Sequence, residues 1–466
     1  MDVDDFCRQL NQIQGSLLAP WQKLDAIKTM LLPRLNHLNR LGAIPLKTLQ
    51  YIDKQVHHVC RRVLYLPQSS SAAWLHLPCS AGGAGLASLR DEAKILRVVA
   101  GVKLLNSSDT SVQQLARLQL RAVVRDRLGA EPDSPDLSAY LSGTMKGLGT
   151  YGQHCSYWTL VRQASNHVGG SVSLRWSVGE DRPVQLVVSH RSLNKPTVVT
   201  GGRQCSSILH RCLRNDNLHE HTSHRSQGKT QPSLSLHRDA SHFMRTGYHT
   251  RFCDWRFVHR ARLNLLPVNS VAALQRQSKS DSKFLRCRRC GYESETLPHV
   301  LNNCMSAHSR AYQRRHNEIL TTVSDAAAHV GPASLDLEPS IHVDSINFRP
   351  DLIHRSNQDG SRVAQIVDVT VVFENGEGVL ERARQDKIAK YESVASDFRA
   401  QGWNASCDAI VIGSLGSWLP NNDRVLERLG VARRYIPHLR KRLISGTIRW
   451  SRDVYTEHIT GVKMYK

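Results

Sequence analysis

A run of β-branched and apolar residues, Gln365-Ile-Val-Asp-Val-Thr-Val-Val-Phe373, constrains the fold of this chain more than any other feature. Such residues favour extended, pleated backbone, and strand side chains alternate between faces with period two. Val367, Val369, Val371 and Phe373 are therefore expected on one buried face, with Asp368 and Thr370 on the other. A carboxylate on the rim of such a strand is costly unless a cation or donor meets it. Upstream, Pro350-Asp351 supplies a second carboxylate where a strand or turn begins. Two acids brought together make a hard-oxygen site suited to Mg²⁺, where a metal activates water and neutralises a scissile phosphate.

This arrangement resembles the PD-(D/E)xK nuclease pattern, with one departure. The usual pattern places Lys two residues after the second acid, and here that place holds Thr370. The segment Leu380 to Phe398 reads as a helix. At about 100° per residue, Leu380, Tyr391, Val394 and Phe398 fall on one stripe. Lys387 lies inside that stripe and Lys390 at its edge. A lysine on a core-facing stripe either snorkels or points at an anion. Two acids nearby favour the second reading, and Lys387 over Lys390. The bland alternative is a solvated Lys-rich helix beside an ordinary α/β core.

The second sharp feature is a cysteine cluster. Cys287, Cys290, His299 and Cys304 have the spacing C-x2-C-x8-H-x4-C. Two closely spaced cysteines form a chelating turn, and a His and a Cys return on the following segment. This fits a tetrahedral structural Zn²⁺ site with three sulfurs and one nitrogen. His308 is a substitute ligand, and the alternative is a set of buried free thiols. Arg286, Arg288 and Arg289 around the knuckle are expected free to meet phosphates.

Composition bounds the partners. The 466 residues suffice for about three domains. A net charge of +22 points to a polyanion, nucleic acid first. No apolar run approaches the roughly 18 residues that cross a membrane, and the acidic start Met1-Asp2-Val3-Asp4-Asp5 lacks the features of a signal peptide. Eleven cysteines, an odd number and scattered except for that cluster, fit a reducing compartment and a metal site better than a disulfide framework.

In chain order, residues 1–105 read as helical. Trp21, Leu24, Ile27, Met30, Leu31, Leu35 and Leu38 recur at helical spacing, interrupted by Pro33. Leu49, Ile52, Val56, Val59 and Val63 form a second stripe, opposite a basic face of Lys54, His57, His58, Arg61 and Arg62. A turn-rich connector with Gly82, Gly83 and Gly85 follows; no Gly-Lys-Ser/Thr makes it a phosphate loop. Residues 106–240 are the least informative, with a helix expected at Val112 to Leu128 and an exposed basic linker from Gln204 to Leu236. In Arg251 to Arg262, Arg256, Arg260 and Arg262 alternate with Phe252, Trp255 and Phe257. That pattern serves phosphate contact and base stacking, or else a helix with an aromatic core face and a solvated basic face. Near the C-terminus, Ala409-Ile-Val-Ile412 reads as a strand and His438 to Leu443 as a basic helix.

Four features in this order resemble one family. They are the helical N-terminal unit with its Gly-Gly-x-Gly connector, Arg262-Leu-Asn-Leu-Leu-Pro267, the CCHC knuckle, and the Pro-Asp … Asp-Val-Thr … Lys-x-x-Lys-Tyr block. Together they resemble the C-terminal part of the polyprotein of site-specific non-LTR retrotransposons that insert into ribosomal RNA genes and carry a restriction-enzyme-like endonuclease. The resemblance implies a multidomain chain. Its parts would be a helical reverse-transcriptase thumb-like unit (1–105), a basic linker (106–240), a linker with a HINALP-like segment and the zinc knuckle (241–320), and a C-terminal α/β restriction-endonuclease-like domain (321–466). It implies Mg²⁺-dependent nicking of target DNA, whose released 3′-hydroxyl primes reverse transcription of the element's RNA in the nucleus, with self-association on DNA and no membrane. Asp351, Asp368 and Lys387 match the catalytic positions, and Lys390 and Tyr391 the flanking ones. The chain carries no Ala/Tyr-x-Asp-Asp turn of a polymerase palm. The competing expectation is a non-catalytic, zinc-containing DNA- or RNA-binding fragment of a decayed element.

Overall fold

The computed structural model describes residues 3–145, 156–168, 170–180, 182–276, 285–328, 334–358 and 361–464. The chain divides into two compact units. One comprises Met1–Val63, Ala72–Pro78 and Ala84–Glu220; the other comprises Leu64–Ser71, Cys79–Gly83 and His221–Lys466. Among the described residues no helix is long and apolar enough to cross a membrane.

The first unit is built from helices that include α1 (Val3–Gly15), α2 (Leu46–Val63), α3 (Leu89–Leu105) and α4 (Thr110–Leu128), with a small antiparallel sheet, β1 (Ser173–Ser177), β2 (Gln185–Ser189) and β3 (Thr197–Val199), and α5 (Gly202–Ser223). The apolar stripe of α2 is buried in full, while Lys54, His58 and Arg62 are exposed opposite it. Pro33 acts as expected: the run from Leu24 breaks into a π-turn (Ile27–Leu31) and a 3₁₀ turn (Leu32–Leu35), because proline cannot donate to the helical ladder. Leu24, Ile27, Leu31 and Leu35 stay buried, but Met30 is exposed. One core joins Ile95, Val98 and Val102 to Leu120, Trp158, Trp176, Leu186 and Leu209, so it runs across residue 105. The exposed linker expected from Gln204 is instead largely α5. Cys205, Ile208, Leu209 and Cys212 are buried along it, and their i, i+3, i+4, i+7 spacing outweighs the polar composition around them.

The second unit is a mixed sheet flanked by helices. Its elements include α6 (Phe252–Arg262), α7 (Met305–Ala328), β4 (Ser334–Leu337), β5 (Ile341–Val343), β6 (Ile346–Phe348), β7 (Leu352–Gln358), β8 (Ser361–Val372), α8 (Val379–Ala400), β9 (Asn404–Gly413) and α9 (Ile436–Thr460). The main sheet has the order β4-β7-β8-β9, and β5 and β6 form a separate hairpin. β7 and β8 are antiparallel, whereas β8 and β9 are parallel, which requires the crossover that α8 supplies. Ala364 and Ile366 on β8 pack with Tyr391, Val394, Ala395 and Phe398 of α8. Asp368 continues that face, so it is 3% exposed rather than on a rim. Val367 and Val369 are buried as expected, while Val371 and Phe373, where the strand runs out, are half-buried. The basic helix expected at the C-terminus is part of α9, whose Leu439, Leu443, Ile444, Ile448 and Val454 are core residues. Arg440, buried among them, pairs with Asp239 and Asp423.

Candidate active site and metal centre

The antiparallel register of β7 and β8 pairs Leu352 with Val367. One step further sets Asp351 across from Asp368. The Asp351 carboxylate is held by the strand it faces: Oδ2 accepts from the backbone N–H of Val369 at 2.6 Å. It also lies 3.0 Å from His316 Nε2, which reaches across from α7. The Asp351 hydrogen bond raises the His316 pKa above its ordinary value, against the opposing effect of burial.

Lys387 projects from the first half of α8 and places Nζ 2.8 Å from Asp368 Oδ2. This is an ion pair by distance, but Oδ2 has no partner within the angular range of a hydrogen bond. Lys390 goes elsewhere, donating to Tyr391 Oη at 2.9 Å. The Tyr391 hydroxyl donates to Arg349 O at 2.9 Å and so pins the peptide leading into Pro350-Asp351. Burial first, and then the nearby Asp368, push the Tyr391 pKa well up, so it stays a phenol. Two acids, a lysine, a histidine and a phenol therefore converge here. Sequence reasoning missed His316, because a histidine on a polar helix 35 residues upstream of Asp351 carries no distinguishing signal. It also missed Glu374. That residue is fully buried and accepts through Oε1 from Leu415 N–H (2.8 Å) and from Ser417 N–H (3.2 Å) and Oγ (3.0 Å). Burial raises its pKa. The fold leaves no room for a side chain opposite: a Cβ at Gly413 would fall 2.0 Å from Glu374 Oε1.

The cysteine motif closes on itself as its spacing predicts. The ligand atoms of Cys287, Cys290, His299 and Cys304 all lie within 4.8 Å of one another, a cluster that could hold a metal ion. Cys287 Sγ and Cys304 Sγ are 3.9 Å apart, and Cys290 Sγ and His299 Nε2 are 3.2 Å apart. With metal–sulfur bonds near 2.3 Å and metal–nitrogen bonds near 2.0 Å, the edges of a tetrahedron are roughly this long. A short π-turn, His299–Asn303, presents the last two ligands, and the Tyr292 ring stacks on His299 at 4.8 Å. Burial opposes a Cys290 thiolate, but the Tyr292 backbone and the Cys287 and Cys304 thiols bring its pKa below the ordinary thiol value. A second layer that the sequence did not reveal comes from α9. His458 Nε2 lies 3.1 Å from Glu295 Oε2 and 3.7 Å from Cys287 Sγ, and its Nδ1 is 3.0 Å from His308 Nε2. Such carboxylate–histidine pairs orient the residues around a metal. His308 sits with Cys304 and His458 in an adjoining triad. The knuckle is also tied to the sheet, since Asn302 donates to Val371 O at 2.8 Å and accepts from Ser414 Oγ at 2.6 Å.

Several arginines expected on a nucleic-acid surface are used internally. Arg262 is 1% exposed, with its guanidinium spent on Leu415 O, Ala240 O and Ser241 Oγ. Burial lowers its pKa to about 10. A side chain so enclosed cannot meet a phosphate, which corrects the expectation for Arg262. Arg288 is bound to Glu295 and Asn269, and Arg289 donates to the carbonyls of Glu457 and His458 near the end of α9. Those two are exposed but not free, contrary to the knuckle reading, because their guanidinium groups are bonded within the protein. Arg256 and Arg286 are exposed, and Arg260 is half-buried.

The molecule is thus a multi-unit helix-and-sheet protein with a Cys/His cluster that could bind a metal such as zinc, and with a pair of acids at the facing ends of β7 and β8. No family model matches the chain. Its homologues over 91–94% of its length are Pol polyproteins of R2 non-LTR retrotransposable elements, which bears out the resemblance seen in the sequence. It is 21% identical over 451 residues to the Retrovirus-related Pol polyprotein from type-2 retrotransposable element R2DM of Drosophila melanogaster. It is 24% identical over 430 residues to that from type-1 retrotransposable element R2 of Popillia japonica. An uncharacterized protein of Caenorhabditis elegans is 25% identical over 279 residues, covering 57% of this chain and 79% of that protein. The chain spans 34% of the Drosophila polyprotein and 72% of the Popillia one.

Proposed function

We propose that this part of a retrotransposon polyprotein is a metal-dependent DNA-nicking endonuclease of the restriction-enzyme-like type, joined to a zinc-containing nucleic-acid-binding region. The observation that carries the reading is the meeting of Asp351 and Asp368 across β7 and β8 with Lys387 of α8 beside them. Opposed carboxylates with Asp368 Oδ2 lacking a properly aligned donor fit a divalent cation. Asp351 and Asp368 would hold Mg²⁺, which when bound supplies an acidified water and neutralises phosphate charge. Lys387 then places a fixed positive charge where the phosphorane develops. The Tyr391 hydroxyl and the Val369 N–H keep Asp351 in place, and α8 shields Asp368 from bulk water. The cysteine cluster would hold Zn²⁺ and keep residues 285–304 folded. Target DNA, the element's RNA and a nuclear site of action follow from the same reading. The nick would free a 3′-hydroxyl to prime reverse transcription.

A second reading, a non-catalytic binding fragment, is favoured by one observation: each of the two acids has a basic partner within the protein, Lys387 beside Asp368 and His316 beside Asp351. Nicking of supercoiled plasmid with Mg²⁺ separates the two. Wild type should nick and Asp368→Ala should not; a wild type inactive with Mg²⁺ and with Mn²⁺ leaves the binding reading standing.

A further inference from the structure

Between α6, α9 and the segment Leu64–Ser71, the second unit encloses a cavity of about 230 Å³ with an open mouth. Three arginines line it, Arg256 and Arg260 one helical turn apart on α6 and Arg452 on α9, together with the rings of Tyr65, Phe257 and Tyr455. Among the described residues its lining holds no carboxylate. Arg452 spends one arm on Asp453 at 2.8 Å. Arg256 and Arg260 make no ion pair among the described residues, and Arg260 Nε is buried without a hydrogen-bond partner. The Arg256 guanidinium lies over the Tyr65 ring at 3.9 Å, and the Phe257 and Tyr455 rings are 5.6 Å apart. Tyr65 itself has a left-handed backbone, φ 56°, rare for an aromatic residue. Strain of that kind persists only where the surrounding structure over-determines it, and it clusters at ligand-binding sites.

The unpaired guanidinium groups of Arg256 and Arg260 beside the exposed Tyr65 ring suit an anionic, planar ligand. A duplex buries its base faces in its own stack and offers phosphates and base edges but no free base face. An unstacked nucleotide offers a base face and a phosphate within one residue's reach. We propose that this cavity takes one unstacked nucleotide of a single-stranded nucleic acid, its base extending the Tyr65–Arg256 stack and its phosphate on Arg260 and Arg452. This deepens the nucleic-acid reading above and rests on it.

The test uses the full chain and short labelled oligonucleotides, single-stranded RNA, single-stranded DNA and the matching DNA duplex, with 2-aminopurine as a reporter base. Tyr65 is 41% exposed, so its replacement leaves the core intact. Tyr65→Ala and Arg260→Gln should each weaken single-strand binding about tenfold or more while duplex affinity falls far less. Tyr65→Phe should keep wild-type affinity. Wild type should quench 2-aminopurine in the single strand, and Tyr65→Ala should relieve that quenching. A larger loss on RNA assigns the site to RNA; equal losses on both single strands assign it to base and phosphate alone. Equal losses on single strand and duplex, or no loss at all, would overturn the pocket while wild-type binding still upholds the broader reading. A wild type that binds no nucleic acid overturns both.

Discussion

Lys387 Nζ and Asp368 Oδ2 meet at 2.8 Å although they belong to consecutive elements that run past one another. Asp368 lies on the face of β8 that α8 covers, and Lys387 interrupts the apolar stripe of α8 just where that face turns acidic. The position two residues after Asp368, usual for a lysine in this kind of site, holds Thr370, so the helix supplies the charge that the strand does not.

If that charge acts on the transition state, Lys387→Ala should lower the nicking rate by about 10²-fold or more and leave DNA affinity nearly unchanged. Lys390, whose ammonium is turned to Tyr391, should affect binding more than rate when replaced by Ala. Thr370→Lys should partly rescue Lys387→Ala. Single-turnover nicking measured beside equilibrium binding decides this; a Lys387→Ala enzyme with the wild-type rate removes the assignment.

The metal cluster predicts about one zinc per chain, released by Cys290→Ser. Since Arg289 and His458 lock the knuckle to α9, metal loss should also loosen the C-terminal helix. Elemental analysis together with hydrogen exchange over 285–304 and 436–460 checks both parts. Zinc-free protein with a rigid knuckle would contradict them.

Arg262 separates structure from binding. Its guanidinium serves buried carbonyls, so Arg262→Met should destabilise the second unit by a few kcal/mol, by leaving Leu415 O and Ala240 O unpaired. At a temperature where the variant stays folded, nucleic-acid affinity should hardly change. Chemical denaturation and binding, measured on the same preparation, test this. Loss of affinity without loss of stability would reverse the interpretation.

The net charge of +22 predicts a steep fall of affinity with salt, because each phosphate contact releases condensed counterions. A log–log plot of affinity against salt concentration should have a strongly negative slope. A flat plot would remove the nucleic-acid reading.

Buried histidines set the acid limit of stability. Burial lowers His242 to about 4 and His259 to about 3, below the ordinary value near 6.5. Above about pH 6.5 both are neutral, folded or unfolded, and the full stability is present. As pH falls from there towards 4, the unfolded chain takes up protons that the folded one refuses, so stability drops. Urea midpoints of the second unit should therefore decline between about pH 6.5 and 4. His259→Asn should flatten the decline while lowering stability near neutrality.

Local pattern determined a definite part of this protein. The stripe of α2, the break at Pro33, the strand carrying Asp368, the helix carrying Lys387 and the closure of Cys287, Cys290, His299 and Cys304 each depend on residues close in sequence, whose periodicity or chelate spacing dictates geometry directly. The fold of residues 202–223 was legible too, in the spacing of Cys205, Ile208, Leu209 and Cys212, but its polar composition masked it. Tertiary structure alone decided the rest. Nothing near Arg262 in sequence says that its guanidinium will end against Leu415 O, 153 residues away. Nothing near His458 or Glu295 announces that the two will meet behind the knuckle, 163 residues apart. The same holds for His316 beside Asp351. A polar side chain's role is fixed by what surrounds it after folding, because burial and distance set both its charge and its partner, and neither is a property of the local chain.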